Sequence, residues 1–411
     1  MVIAISDDMF SAEVIADPYP YYDRLREEDP VHWNEKYQVW VITRHDDLTW
    51  LTRHHELFSS AVFRNDPKPP YPDINESDLG LYDEFVRMYQ ADQFIQYDRP
   101  EHLEMRKAIH GYFTPKSMEE WRPFVQKAIN ELLDQVEDQG HMDLMRDFAT
   151  PLPVMVIAEM MGVPPEGRAY IRELAEKLLY IGRGEPDRMK PLSEGMKGME
   201  EYVSPLVDER LVNPGTDFIS VLANGERDGI FNRHQVLVNT SLLLLAGHET
   251  TINLLCNGTL AFIQHPDQWD LLKADQGNTL PPLINRATEE CLRYDAPVKS
   301  IQRIASEDVE MRGKTIRKED RIRWFMSPAN RDPDKFDSPE TFDITRWPNP
   351  HVAFGSGIHH CLGAGLARLE GQEAFKALVE RFPRFRLDTD QLEYQPSITF
   401  RSLKSLPVAW D

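Results

Sequence analysis

Apolar and polar positions predict short strands mixed with helices in the first third of the chain, followed by a run of helices. The apolar run Val39–Thr43, bounded by polar residues, indicates a strand. Four prolines mixed with charged residues over Asp66–Ser77 indicate a loop. From Arg99 to Leu211, apolar residues recur at helical spacing. This spacing predicts helices over His102–Phe113, Ser117–Gln139, Leu152–Met161, Glu166–Ile181 and Leu192–Leu211.

The second half of the chain opens with the longest predicted helix. Asn232 followed by Gln235 forms a capping-box pattern, and helical spacing continues to about His265, before Pro266. About 30 residues at 1.5 Å each span about 45 Å, which is the width of a domain. Because this segment is apolar on most sides, we expect it to cross the centre of the molecule.

Two further helices and a smaller strand region complete the pattern. Helices are predicted over Leu283–Tyr294 and from near Leu362 to just before Pro383, with strand-like and irregular pieces over Val309–Pro350. No long linker, repeat or low-complexity tract divides the chain. The expected fold class is mainly α with a smaller β region (α+β), in a single domain over residues 1–411.

Composition narrows the classes of partner. The 68 acidic and 46 basic residues give a net charge of −22, which repels phosphate backbones and anionic lipid. The three cysteines, Cys256, Cys291 and Cys361, are far apart and odd in number, so no disulfide framework is indicated and a reducing cytoplasm fits. The first residues lack the basic region of a signal peptide, and polar residues interrupt the most apolar stretch. We expect a soluble, cytoplasmic monomer without nucleic-acid or membrane partners.

The strongest candidate chemistry lies in the segment FGSGIHHCLGAG around Cys361. A thiolate that binds haem iron needs backbone N–H donors, an apolar shield and little bulk nearby. Gly355 and Gly357 allow a tight loop under a flat cofactor, and Phe354 can shield the sulfur. The predicted helix that follows, kept thin by Gly363, presents N–H groups and the positive end of its dipole to the sulfur.

Other interpretations of this loop are weaker. A buried structural cysteine in a glycine-rich turn is the usual fate of a lone cysteine, but the fixed offsets of phenylalanine, glycine and histidine argue against it. A zinc site formed by His359, His360 and Cys361 lacks a second cysteine pair nearby. The segment is also not a dinucleotide-binding loop, because His360 occupies the last glycine position of that motif.

The segment resembles the haem-binding signature of the cytochrome P450 family, specifically of its soluble bacterial members, and the similarity extends from about Asp17 to Trp410. The resemblance implies the P450 fold, with haem b lying against the long central helix and Cys361 as the iron ligand. It also implies a monooxygenase that inserts one atom of O2 into a small organic substrate. Because the haem domain uses the whole chain, electrons are expected from a separate ferredoxin and its ferredoxin reductase.

A second motif, AGHETT, lies in the middle of the long predicted helix. Ala246, Gly247 and Thr250 share one face, where two small residues beside a hydroxyl leave a groove for a small ligand. The resemblance implies that Glu249 and Thr250 are the family's acid–alcohol pair, which delivers protons to bound dioxygen, and that Ala246 contacts the cofactor. The alternative is a helix kink with Thr250 bonded to its own backbone. A zinc-protease motif does not fit, because Ile252 occupies the second histidine position.

Two further sets of residues are assigned by the resemblance. Glu290 and Arg293 match the family's ExxR motif, and together with Arg346 they imply a structural network that supports the cysteine loop. Alone, each charged residue near the cofactor would more commonly be a solvated surface charge. The residues that match positions binding the two haem propionates are His102, Arg106, Arg303 and His359.

The substrate pocket implied by the resemblance is mostly apolar, so a small hydrophobic substrate is expected. Lys299 departs from the usual neutral residue near the pocket, and we expect it to point to solvent rather than to an anionic substrate. Trp324, Pro328 and Ser402 are further departures from the family pattern. The pocket residues named on this basis are Leu242, Leu243, Val298, Ile301 and Ile398.

A basic patch on the cysteine side is expected to dock the ferredoxin despite the acidic total charge. Its residues are Arg106, Lys107, Lys116 and Arg368. A peroxide-driven oxygenase, a non-catalytic haem-thiolate ligand sensor and a zinc hydrolase remain as alternatives. The first would not need the Glu249–Thr250 pair, the second would need an output domain, and the third would use His359, His360 and Cys361.

Overall fold

The structure of the protein, a computed structural model, describes residues 8–65, 76–178 and 187–411. The loop predicted over Asp66–Ser77 lies mostly outside these residues, as does the end of the predicted Glu166–Ile181 helix. The α-helices have these bounds: Ala12–Ala16, Tyr19–Glu28, His45–Arg53, Val62–Asn65, Leu79–Phe85, Glu101–His110, Pro115–Glu120, Arg122–Leu133, Pro151–Met160, Arg168–Leu178, Met189–Val212, Phe218–Arg227, Arg233–Gln264, Pro266–Lys273, Leu283–Tyr294, Met326–Ala329 and Ala364–Arg381.

The helix Arg233–Gln264, called the central helix below, runs through the largest apolar core. It begins with the predicted capping box: the Asn232 side chain accepts from the Gln235 N–H, and the Gln235 side chain accepts from the Asn232 N–H, both at 2.9 Å. The central helix packs against Pro151–Met160 and Ala364–Arg381. Its buried residues occur on nearly all sides, which confirms the predicted central position.

The strands in the described residues form one larger sheet and two small ones. They are β1 Val31–Asn34, β2 Val39–Ile42, β3 Phe58–Ser59, β4 His141–Asp143, β5 Ser300–Ala305, β6 Val309–Met311, β7 Lys314–Ile316, β8 Arg321–Phe325, β9 Arg386–Leu387 and β10 Pro407–Ala409. The larger sheet has the order β1-β2-β8-β5-β3, in which β2 and β8 pair parallel and the other neighbours antiparallel. The mainly α class with a smaller β region is thereby confirmed.

One predicted helix needs correction, and several observed helices, such as Tyr19–Glu28 and Pro266–Lys273, were not predicted individually. The predicted Ser117–Gln139 helix is two helices, Pro115–Glu120 and Arg122–Leu133. Pro123 has no N–H to donate, so it fits the first turn of a new helix and not the interior of a continuous one. The helix Phe218–Arg227 is additional to those predicted.

The fold places the cysteine loop at the start of the Ala364–Arg381 helix, which lies against the central helix and the Leu283–Tyr294 helix. Arg303 lies on strand β5. Over the three described stretches, no helix has both the length and the apolar character needed to cross a membrane.

Candidate functional site

The cysteine loop is a tight turn held by backbone contacts. The Cys361 N–H donates to the Phe354 carbonyl at 2.9 Å. Gly355 and Gly357 have φ of +65° and +71°, in the left-handed region that favours glycine. A Cβ on Gly357 would lie 2.4 Å from the Thr52 carbonyl oxygen, so the loop requires glycine there for space as well. The predicted role of the two glycines in a tight loop therefore has a structural basis.

The thiol of Cys361 is surrounded by donors and cations. Cys361 is exposed only toward the adjoining cavity, and desolvation by the surrounding protein raises the pKa of its thiol above the ordinary value, while hydrogen bonds from the backbone N–H groups of Gly363 and Ala364 and the charges of Arg106 and Arg368 act to lower it. The raising effect on the pKa is the larger one, so the thiol is neutral in the protein without a bound metal. A bound metal cation would stabilise the thiolate directly, because a coordinating thiol is deprotonated outright.

Four donors gather beside this loop, and the structure brings all the predicted propionate partners together. The rings of His102 and His359 are 3.9 Å apart, and the Nε2 atom of each has no hydrogen-bond partner within the described residues. The buried Arg303 lies 4.7 Å over Trp324, and Arg106 donates to the His360 carbonyl at 2.5 Å.

Burial sets the protonation of this cluster. It lowers the pKa of His102 to about 4, of His359 to about 2 and of Arg303 to about 10. Both imidazoles are therefore neutral donors at neutral pH, beside the two guanidinium groups of Arg303 and Arg106. Within the described stretches neither arginine forms a salt bridge with a carboxylate, which leaves the cluster complementary to two added carboxylates.

These observations fit haem. The cluster offers donors for two propionates, and Cys361 supplies a single sulfur ligand. Ala246 is exposed although its helix runs through the interior, so it borders an internal cavity on the central helix. By contrast, no three His, Cys, Asp or Glu side chains in the described parts of the chain are grouped to hold a metal ion, which leaves the zinc alternative without a ligand set.

The acid–alcohol pair lies beside Ala246. The Thr250 hydroxyl donates to the Ala246 carbonyl at 2.7 Å, as the kinked-helix alternative also expects, but its oxygen can still accept a hydrogen bond. Glu249 is buried, and the Ser402 hydroxyl donates to its Oε1 atom at 3.4 Å. A Cβ on Gly247 would lie 2.6 Å from Ile157 Cδ1, so close helix packing accounts for this glycine.

His248, between these residues, has a structural position. Its Nε2 lies 3.2 Å from the Thr150 carbonyl oxygen, and burial lowers its pKa to about 4. It is thus a neutral core histidine that joins the central helix to the turn before the Pro151–Met160 helix.

The fold brings the ExxR residues Glu290 and Arg293 together with Arg346. Arg293 and Glu290 are completely buried, with two hydrogen bonds of 2.8 Å between them. Arg346 Nε lies 3.3 Å from Glu290, and Arg293 also donates to the carbonyls of Asn330, Pro339 and Thr341. The network connects the helix to the irregular segment before the cysteine loop.

Two carboxyl groups near the site, the partly buried Glu289 and the buried Glu370, were not among the predicted residues. Glu289 binds Arg368 and His351, and Glu370 accepts from the Thr251 hydroxyl at 3.3 Å. Glu289 neighbours the ExxR glutamate, and Glu370 is an acid inside a buried helix face. Sequence reasoning could have found Glu289 from its position next to Glu290, and Glu370 from its position on the buried face of its helix.

The predicted pocket residues are apolar and at least partly buried, but they belong to three different apolar clusters. Lys299 does not point to solvent as expected: it is 6% exposed. Its backbone binds Thr399 and Met326 on both sides, which holds the side chain inside the β region. Burial lowers the pKa of Lys299 to about 7.

A cavity of about 690 Å³ opens beside Cys361. Its basic lining residues are Arg106, Arg122, Arg368 and Lys376, and its acidic ones are Glu119 and Glu373. Lys107 and Lys116 are exposed nearby on the chain, whereas Arg368 is paired with Glu289. Arg368 is therefore less accessible to a partner than the sequence indicated, while Lys107 and Lys116 stay exposed.

Comparison with known proteins identifies the class. Residues 192–407 match the family model "Cytochrome P450". The chain is 35% identical over 415 residues to the biotin biosynthesis cytochrome P450 of Bacillus subtilis (strain 168), covering 100% of both chains. It is 34% identical over 413 residues to 6-deoxyerythronolide B hydroxylase of Saccharopolyspora erythraea, covering 98% of both. The crystal structure of P450BioI in complex with an acyl carrier protein carrying hexadec-9Z-enoic acid superposes with a TM-score of 0.85 at 33% identity, covering 97% of this chain and 99% of the other.

The chain belongs to the cytochrome P450 family, and it is an oxidoreductase of the monooxygenase class. The family implies a haem cofactor, O2 as co-substrate and an external source of electrons. The roles of individual site residues stay predictions.

Proposed function

We propose that this protein binds haem b through Cys361 and hydroxylates a small hydrophobic molecule with one oxygen atom from O2. The observation that carries the proposal is the cluster of two neutral imidazoles and two guanidinium groups beside the cysteine loop. These are His102, His359, Arg106 and Arg303, and they would bind the two propionates. When bound, the haem supplies the activation of dioxygen and the transfer of oxygen.

The residues of the chain would divide the remaining work. Cys361 would hold the iron, and its backbone donors would tune the charge on the sulfur. Thr250 would hold a hydrogen-bonding partner next to Ala246, and Glu249 would supply protons to that position. The buried network of Glu290, Arg293 and Arg346 would keep the loop in place and take no part in the chemistry.

The substrate is proposed to be hydrophobic because the predicted pocket residues are apolar: Leu242, Leu243, Val298, Ile301 and Ile398. The relatives named above differ in what their names say they act on or bind. One takes part in biotin biosynthesis, one hydroxylates 6-deoxyerythronolide B, and one is seen with a fatty acyl chain on a carrier protein. These names define no common substrate, so the hydrophobic class proposed here rests on the pocket residues.

Electrons are proposed to come from a ferredoxin with its own reductase. An acidic ferredoxin would dock over the cavity beside Cys361, near the exposed Lys107 and Lys116. The peroxide-driven alternative would not need this surface. It would be favoured if peroxide supported faster turnover than O2 with ferredoxin and reductase.

The absorption spectrum of the dithionite-reduced protein with carbon monoxide tests the proposal. A strongly red-shifted Soret band is expected, which Cys361→Ala should abolish and Cys256→Ala, a matched change at a buried cysteine of the central helix, should leave intact. A band at the position of histidine-ligated haem would contradict thiolate ligation. A folded, haem-supplied preparation without any haem band would overturn the proposal.

A further inference from the structure

A row of buried polar side chains follows one face of the central helix. Glu249, Asn253 and Asn257 are four residues apart, so they lie along one face and span about 12 Å. Their side chains are 6%, 1% and 2% exposed in a helix that is otherwise mostly apolar. Burial of an amide or carboxyl group costs free energy unless the group is hydrogen-bonded. The row therefore needs partners on the facing element.

The facing element is the C-terminal segment at Arg401 and Ser402. The Ser402 hydroxyl donates to Glu249 Oε1 at 3.4 Å. At the other end of the row, Asn257 Nδ2 donates to the Arg401 carbonyl at 3.0 Å and to the Asp295 carbonyl at 3.4 Å. The 3.4 Å contacts are longer than typical hydrogen bonds, so they orient these groups without holding them rigidly.

Two amide atoms within the row have no protein partner. Asn253 Nδ2 and Asn257 Oδ1 are buried and make no hydrogen bond to any part of the chain that the structure describes. Buried polar groups that the protein leaves unsatisfied are generally satisfied by ordered water. Asn253 lies between Glu249 and Asn257, so water bound at these two amides would connect the ends of the row.

The outer end of the row approaches the surface under the N-terminal segment. The Asp295 carboxylate accepts from the Tyr19 hydroxyl at 2.8 Å, and Tyr19 is half-buried. The Arg401 guanidinium donates to the carbonyls of Ile15 and Ala16, and Ala16 is exposed. A proton-exchanging group therefore lies close to solvent at this end.

We propose that Glu249 exchanges protons with solvent along a polar column formed by Ser402, Asn253, Asn257 and Asp295, through water held by the two amides. The inference rests on the proposed role of Glu249 as the acid. Each proton that Glu249 gives toward Thr250 is replaced by one that enters from solvent near Asp295. Each water accepts one proton and releases another, and no electrons move along the column.

Ser402 is a positioning residue in this scheme, because it contacts Glu249 and not the reacting atoms. Thr251 lies on a different face of the central helix and donates to Glu370 of the Ala364–Arg381 helix, and this pair provides the competing route. The test must therefore separate the two faces.

The first measurement is a crystal structure of the haem-loaded enzyme at a resolution that shows ordered water. Water bound to Asn253 Nδ2 and Asn257 Oδ1 is expected. A dry contact at both atoms would overturn the proposal without any variant.

The second measurement uses Asn253→Leu and Asn257→Leu, which keep the volume and remove the amides. Turnover is expected to fall about tenfold, with a larger solvent isotope effect and more peroxide released per electron pair. The Ser402→Ala variant should show a smaller change of the same kind, which Ser402→Thr restores. Ser241→Ala is the matched control, because that hydroxyl donates to the Leu237 carbonyl of its own helix and to no other group in the described residues.

The outcomes separate the column from the role of Glu249. If Glu249→Gln leaves turnover and the isotope effect unchanged, the proposed acid is wrong. If Glu249→Gln lowers turnover but the asparagine variants behave like Ser241→Ala, only the column is wrong. If Thr251→Val lowers turnover and the asparagine variants do not, the proton route runs through Thr251 and Glu370. Thermal unfolding midpoints of all variants identify any that are merely destabilised.

Discussion

Arg368 donates from Nε and Nη2 to the two carboxylate oxygens of Glu289, at 2.7 and 2.9 Å. The same guanidinium lies 4.6 Å from the centre of the Phe354 ring, and His351 contacts Glu289 at 3.0 Å. Burial alone would raise the pKa of Glu289, but the bonds from His351 and Arg368 lower it to about 2. This pair therefore joins the Leu283–Tyr294 helix to the aromatic ring at the start of the cysteine loop.

We expect Arg368→Gln to loosen the cysteine loop. The change removes both bonds to Glu289 and leaves a mostly buried carboxylate with one imidazole partner, which is destabilising. The thermal unfolding midpoint should fall by a few degrees, and haem should transfer faster to an acceptor such as apomyoglobin. Lys376→Gln, on the same helix but in an exposed pair with Glu380, should change neither quantity. Equal haem-transfer rates for the two variants would contradict the role of Arg368.

Arg368 also shows what the sequence could and could not predict. Its charge and its position after Cys361 indicated a docking surface, but its partner Glu289 is 79 residues away in the chain, and no local spacing reports that contact. The capping box and the ExxR pair were predictable because their partners are three residues apart. The prediction that Lys299 faces solvent was wrong for the same reason. Its burial depends on contacts with Thr399 and Met326, which are far from it in the sequence.

The Glu370→Gln variant should change how stability depends on pH. Burial raises the pKa of Glu370 from 4.5 to about 8, so the folded protein keeps a proton that the unfolded chain releases. The stabilising contribution is complete below about pH 4.5 and is lost as pH rises to about 8. The isosteric amide cannot titrate, so the free energy of unfolding should fall less over this range.

Denaturant unfolding at several pH values between 4.5 and 8 measures this difference. Glu380→Gln, an exposed position on the same helix, should retain the slope of the unaltered protein. A Glu370→Gln variant with the same slope as Glu380→Gln would show that Glu370 is ionised in the folded protein.

Charge reversal at Lys107 and Lys116 tests the docking surface that remains after Arg368 is paired. Both lysines are exposed, and no ion pair is recorded for either among the described residues. The double variant Lys107→Glu, Lys116→Glu should raise the KM for ferredoxin several-fold at low salt, with little change at high salt, because screening removes exposed charge interactions. Lys197→Glu, which adds the same charge change beside Glu84, is the control. Unchanged salt dependence would exclude this surface.

The burial of Lys299 predicts that this one side chain lowers the free energy of unfolding at neutral pH. Burial, with the nearby charges of Arg401 and Arg323, lowers its pKa to about 7, against the favourable charge of Asp295. The ordinary value is 10.5, so between pH 10.5 and 7 the unfolded chain binds a proton that the folded protein does not. The stability present above pH 10.5 is therefore lost as pH falls to about 7.

Lys299→Met should remove this loss, because methionine has similar length and no charge to desolvate. At pH 7 the free energy of unfolding should rise, and its slope between pH 7 and 10 should be flatter than in the unaltered protein. Lys318→Met, at an exposed position, should change neither quantity. If Lys299→Met instead destabilised the protein at pH 7, this prediction would be wrong. The Lys299 ammonium would then be charged in the folded state and stabilised by Asp295.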